Sequence, residues 1–250
     1  MTSSFAQLFL TNLRMVYRNT SGLFWTLAMP TVFFIIFALF RLERFINLGG
    51  RSYADFFLPG FLAYVFMQGG LYGLGYFLTD LKAKGVIKRF LVTPIQPFQM
   101  AVAVVASRVM VMLVQLVLLT AIGVLLFNAH LALANIPLVL LVTLMGGSLF
   151  LLVGLLVSTV ASSYESAAPI TAAVGLPLMF LGDVFYPTSL LPHFLQTIAH
   201  ILPLAHLSEA LRMLYAGTIN LHNFFINLVA MGIWFIVLLL LVRWRFKLEE

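Results

Sequence analysis

The sequence predicts an all-α membrane protein with six transmembrane helices. The first observation is composition: 62% of its 250 residues are hydrophobic and only 9% are charged. A soluble domain carries about 25% charged residues, so most of this surface must face lipid. The second is a series of uncharged stretches near the ~20 residues that cross a bilayer. The third is a bias of Lys and Arg toward alternate ends of those stretches.

The remaining composition narrows the classes. No cysteine is present, which excludes a disulfide framework and a thiolate metal site. The formal charge of +6 would suggest nucleic acid in a soluble chain. Here it reads as basic segments at a cytoplasmic membrane surface, with no nucleic-acid partner. A basic n-region followed at once by an apolar stretch is missing, so no cleavable signal peptide is expected. Without a Gly/Ser linker or polar tract, residues 1 to 250 form a single domain.

Residues 3 to 20 show helical periodicity, with Phe5, Leu8, Phe9, Leu13, Val16 and Tyr17 on one face. Gln7, Thr11, Arg14 and Arg18 lie opposite. The helix either rests in the membrane interface or packs on protein. The first span covers 22 to 40 and the second 56 to 79, between Asp55 and Asp80. A charged stretch, DLKAKGVIKR, follows. Wound as a helix, residues 82 to 91 place Val86, Ile87, Phe90 and Leu91 on one side. Lys82, Lys84, Lys88 and Arg89 lie on the other. Such a segment either inserts into a partner's groove or touches lipid headgroups.

The third span covers 98 to 126. Residues 109 to 164 hold no Lys, Arg, Asp or Glu, and Asn128, His130, Asn135 and Pro137 mark a turn inside them. The fourth span is therefore 136 to 160, the fifth 167 to 182 and the sixth 224 to 242. Pro187, Pro192 and Pro203 cut residues 184 to 215 into pieces too short to cross. Two short helices, 190 to 201 and 204 to 215, are expected to dip in and return, covered by protein or a water-filled cavity.

With six spans and cytoplasmic termini, nine of the fourteen basic residues fall inside. They are Arg14, Arg18, Lys82, Lys84, Lys88, Arg89, Arg243, Arg245 and Lys247. Arg41, Arg44, Arg51 and Arg212 fall outside. The reverse orientation or a seventh span fits this bias less well.

KAKGVIKRFLVTPI resembles the cytoplasmic loop of type-2 ABC exporter permeases, which include bacterial drug, polysaccharide and nodulation-factor exporters. Lys84, Gly85, Lys88, Arg89, Thr93 and Pro94 carry the match. The acidic residue of that pattern is replaced by Ala83, and Asp80 lies one turn earlier. FLGDVFYPTSLLPHFLQTIAHILPLAHLSEALR is similar to the family's outer hairpin before the last span. Phe185, Tyr186, Pro187, Leu191, Pro192, Leu202, Pro203, Ala210, Leu211 and Arg212 fit, with Asp183 where the pattern has Gly. RNTSGLFWTLAMP is a weaker third match.

The resemblance implies that 82 to 91 is a coupling helix. Lys84, Gly85, Ile87, Lys88, Arg89, Phe90 and Leu91 would seat in a cytoplasmic ATPase. The chain has no G-x-x-x-x-G-K-[ST] loop, so ATP and Mg would bind that separate subunit, and this chain would carry no cofactor. It also implies a second permease copy or a paralogue, and an outer gate near Asp183, Phe185, Tyr186, Pro187, Pro192 and Pro203. The cargo would be drug-like, lipid or glycoconjugate, exported across the cytoplasmic membrane.

Arg108 lies about 16 Å along the third span. It either snorkels to the surface, pairs with Glu165, or lines a route. Asp183 either lines an outer gate or sits hydrated at the interface. Gly69 and Gly73, Gly154 and Ser158, and Thr171 and Gly175 are each four apart, a spacing that lets helices approach. His193, His200, His206 and His222 match no compact metal motif. Gly147 and Ser148 have no paired base to make a hydrolase. An ion-coupled carrier working alone is the main alternative, with only Arg108 as an intramembrane ionisable group. An intramembrane enzyme is the lesser one.

Overall fold

The computed structural model describes residues 2–40, 48, 52–85 and 97–247. Among the described residues the fold is helical without strands, and nine helices run in order. They are α1 (Thr2–Arg18), α2 (Thr20–Leu39), α3 (Tyr53–Ala83), α4 (Pro97–Phe127), α5 (Ile136–Val160), α6 (Tyr164–Leu181), α7 (His193–Ala199), α8 (Pro203–Ala216) and α9 (Leu221–Lys247). Six of them, α2 to α6 and α9, are long and apolar enough to cross a membrane.

Several helices run past the apolar stretches that announce them. Asp55, which bounds the second span in the sequence, is the third residue of a capping box. Ser52 Oγ accepts from the Asp55 amide, and the Asp55 carboxylate accepts from the Ser52 amide. Asp55 also accepts from the His130 amide at 2.6 Å, which ties the start of α3 to the α4–α5 connection. Ser163 and Ser166 cap α6 in the same way. Polar residues at the span ends thus start helices rather than interrupt them.

α3 is the central element. Nearly every side chain from Tyr53 to Met67 is buried. It packs against α2, α4, α5, α6 and α8. Its middle, Gly69–Leu74, is wound as a π-helix. That extra residue in the turn rotates the glycines. Gly70 and Gly75, not Gly69 and Gly73, meet α5. A Cβ on Gly154 would lie 2.1 Å from the Gly70 carbonyl oxygen, so two backbones touch there. Gly69 and Gly73 face the opposite side, toward Met112 and Arg108. Thr171 and Gly175 of α6 meet Tyr76 and Tyr72 of α3, a contact inside the subunit.

α1 packs along α4, with Asn12 buried and its Nδ2 donating to the Leu8 carbonyl at 2.9 Å. Tyr17, grouped with the apolar face by its spacing, is instead 78% exposed. Between α6 and α9 the chain forms two short helices of unequal fate. α7 shows Phe194 and Ile198 to the surroundings. α8 sinks into the core against α3, α5 and α9 and ends at Gly217, whose φ of 69° is left-handed.

Candidate functional site

A cleft of ≈ 970 Å³ opens between α2, α3, α4 and α6. Its volume lies near the top of the range for small-molecule sites. Two π-helical segments border it: Phe24–Ala28 contributes Trp25 and Thr26, and Gly69–Leu74 contributes Gly69, Tyr72 and Gly73. Such segments release backbone groups from the helical ladder and recur at functional sites. Here the Thr26 carbonyl is recruited by Gln115 of α4, whose Nε2 donates to it at 2.5 Å. The Gln115 Oε1 is buried without a partner among the described residues. Gln68 also lines the cleft and donates from Nε2 to the Tyr64 hydroxyl at 2.5 Å.

The hairpin end of the cleft is closed by aromatic rings. Phe185 lies 5.3 Å from Phe37, 5.7 Å from Phe57 and 6.0 Å from Tyr64, centroid to centroid. Each such pair contributes about 0.5–1.5 kcal/mol beyond simple burial. The Tyr53 hydroxyl donates to the Phe185 carbonyl at 2.9 Å, and the Tyr186 hydroxyl to that of Phe180 at 2.8 Å. Burial pushes the Tyr186 phenol up from its usual pKa.

Asp183 and Arg212 hold this closure from behind. Arg212 Nη1 pairs with the Asp183 carboxylate. Its Nη2 donates to the Asp183 carbonyl at 2.7 Å and its Nε to the Phe56 carbonyl at 3.3 Å. The guanidinium also stacks 3.9 Å from the Phe56 ring centroid. The other carboxylate oxygen of Asp183 accepts from the Thr188 amide at 2.8 Å. Asp183 takes a left-handed φ of 57°, where the family pattern has Gly. Both side chains are only 12–13% exposed. The reading of Asp183 as a hydrated interfacial carboxylate is therefore corrected: Arg212, from the second hairpin helix, replaces water as its partner. Pro187 precedes the Thr188–Leu190 turn, Pro192 caps α7, and Pro203 opens α8. None of these three prolines lines the cleft.

Arg108 borders the opposite end of the cleft, nearest α1. Its guanidinium lies 5.0 Å from the Phe77 ring centroid. It makes no hydrogen bond or ion pair among the described residues, so of the three readings open to it the pairing with Glu165 is not formed. Beyond α3, Lys84 is the helix C-cap and Gly85 takes a left-handed φ of 65°. Lys82 and Ala83 thus finish α3 rather than open a separate helix. Asp80 pairs with Lys84 at 2.7 Å, an exposed contact of small energetic worth. Ile87, Lys88, Arg89, Phe90 and Leu91 lie outside the described residues.

Gln68 and Gln115 were not singled out from the sequence. Their signal was present: each is an amide inside a long uncharged stretch, where polar groups are costly without a task. His206, by contrast, is accounted for by Asn227, 2.7 Å from its Nδ1.

Comparison with known proteins fixes the family. A profile of the ABC-2 type transporter family matches residues 3–216. The inner membrane transport permease YadH of Escherichia coli K12 is 28% identical over 187 residues, covering 75% of this chain and 72% of that protein. YadH proteins of E. coli O157:H7 and Shigella flexneri match to the same extent, 28% over 187 residues. The chain belongs to the ABC-2 type transporter family.

Proposed function

Taking that membership as the premise, we propose that this chain is the permease subunit of an ATP-driven exporter. It moves an amphipathic cargo, whether drug-like, lipid or glycoconjugate, out of the cytoplasm. The observation that carries the reading is the cleft of ≈ 970 Å³, lined mostly by apolar and aromatic side chains and set among helices long and apolar enough to cross a membrane. Such a cleft suits a cargo that enters sideways from lipid.

The orientation rests on the charge bias: α1, the 84-to-96 connection and the end of α9 are cytoplasmic, and the α7–α8 hairpin is outside. The protein is then a multi-pass protein of the cytoplasmic membrane, as the similarity to an inner membrane permease also suggests. α1 lies at the cytoplasmic interface, and its exposed Leu10, Met15 and Tyr17 contact lipid. The buried position of α8, short and Pro-initiated, supports a hairpin that re-enters the membrane under cover of protein.

Energy comes from a cytoplasmic ATPase subunit, which binds ATP and Mg. Lys84, Gly85, Ile87, Lys88, Arg89, Phe90 and Leu91 form its docking segment, whose apolar side chains fill a groove on the ATPase. ATP binding shifts the permease only by favouring one conformation over another, and a rigid docked segment provides that difference. A second permease copy or a paralogue completes the path. α2 and α6 flank the cleft and expose Trp25, Phe33, Leu176 and Phe180 beside it, a surface suited to a partner.

The test is co-purification. The permease should retain a Walker-motif ATPase, and replacing Ile87 and Phe90 together by Ala should release it while the permease stays folded. Retention unchanged by that replacement removes the docking assignment. Transport that continues without any ATPase favours the ion-coupled carrier instead.

A further inference from the structure

We propose that the α1 end of the cleft is a binding site for the phosphate headgroup of an acidic amphiphile, with Arg108 as its cation. This rests on reading the cleft as the cargo path. It goes further by naming the charge of the cargo.

Arg108 stands where two cavities meet. One is the large apolar cleft; the other is a niche of ≈ 140 Å³ between α1 and α4, bordered by Asn12, Asn19, Thr26 and Ser107. The niche has room and polar walls for phosphate oxygens, and the cleft has room for a hydrocarbon tail. A guanidinium offers five N–H donors in a planar fork that matches phosphate. Among the described residues, that fork has only the Phe77 ring as a partner.

Arg108 lies about 16 Å along α4 from Pro97, well inside the span. An intramembrane cation without a carboxylate is expensive, and an incoming anion would remove the cost. Among the described residues no Asp or Glu lines either cavity, so a cationic amphiphile would find no counter-ion there. Gly73 keeps the approach open: a Cβ there would lie 3.8 Å from Arg108 Nη1.

The experiment uses the purified full chain in zwitterionic nanodiscs, titrated with dodecyl phosphate, dodecyl maltoside and inorganic phosphate. Dodecyl phosphate should bind at least about 10-fold tighter than either of the others, a margin of about 1.4 kcal/mol. Arg108→Gln should abolish that preference, Arg108→Lys should keep most of it, and Arg14→Gln, at an exposed cation of α1, should leave it intact. Should Arg108→Gln fail to fold, Gly73→Ile must remove the preference by filling the space beside the guanidinium. A preference that survives these variants overturns the proposal. So does its absence from the wild type, or inorganic phosphate binding as tightly as dodecyl phosphate. ATPase retention by the same preparations is a separate readout. Selectivity without retained ATPase sinks the exporter reading and keeps the site; retained ATPase without selectivity does the opposite.

Discussion

Arg212 and Arg108 are both withdrawn from bulk water, at opposite ends of one cleft, and their surroundings differ sharply. Arg212 spends its donors on the Asp183 carboxylate, the Asp183 carbonyl and the Phe56 carbonyl, and its face on an aromatic ring. Arg108 has one ring and no acceptor among the described residues. A satisfied charge fixes structure, because removing either partner strands the other. An unsatisfied one contributes little to the fold and is free to meet a ligand. The same residue type is thus a strut at one end and an open contact at the other.

The comparison is broken most directly by charge removal at the strut. Arg212→Gln should destabilise the protein by about 3 kcal/mol, the low end for a buried pair because some water still reaches it. Asp183→Asn should cost a similar amount. The double replacement should cost clearly less than the sum, as read by thermal melting in nanodiscs. Additive losses would mean the pair is not one unit.

A smaller effect separates the two faces of α3. Gly154→Ala should cost about 1–3 kcal/mol, because the new methyl collides with the Gly70 carbonyl. Gly73→Ala, on the cleft face, should be neutral or stabilising by up to ~1 kcal/mol, since its methyl meets only ordinary contacts. Equal penalties would contradict the rotation imposed by the π-helical segment. The smallest loss is at Arg108 itself: Arg108→Gln should not destabilise the protein in the same assay, because it removes a cation with no carboxylate partner among the described residues. A loss as large as that of Arg212→Gln would show it to be a second strut.

Much of this architecture was legible in the sequence. Six apolar stretches announce six spans, since lipid allows few alternatives to a long helix. Pro192 and Pro203 mark the starts of α7 and α8, because proline suits a helix's first turn and disrupts its interior. What stayed hidden is tertiary. Asp183 and Arg212 are 29 positions apart, and only the fold of α8 back onto α3 brings them together. On an α-helical wheel the four-residue spacing points to Gly69 and Gly73. The π-helical turn moved the close contact to Gly70 and Gly75. Arg108 is visible in the sequence as an odd charge, but that it meets no acceptor among the described residues is known only from its neighbours.

Coupling to ATP requires that the basic connection after α3 meet a nucleotide-hydrolysing partner in the cytosol. The chain contains no cysteine, so Lys88→Cys provides a unique thiol for labelling in spheroplasts. The thiol should resist a membrane-impermeant maleimide until the membrane is opened, and then react fully unless the ATPase shields it. Labelling of sealed spheroplasts from outside would contradict the orientation and, with it, the coupling to ATP.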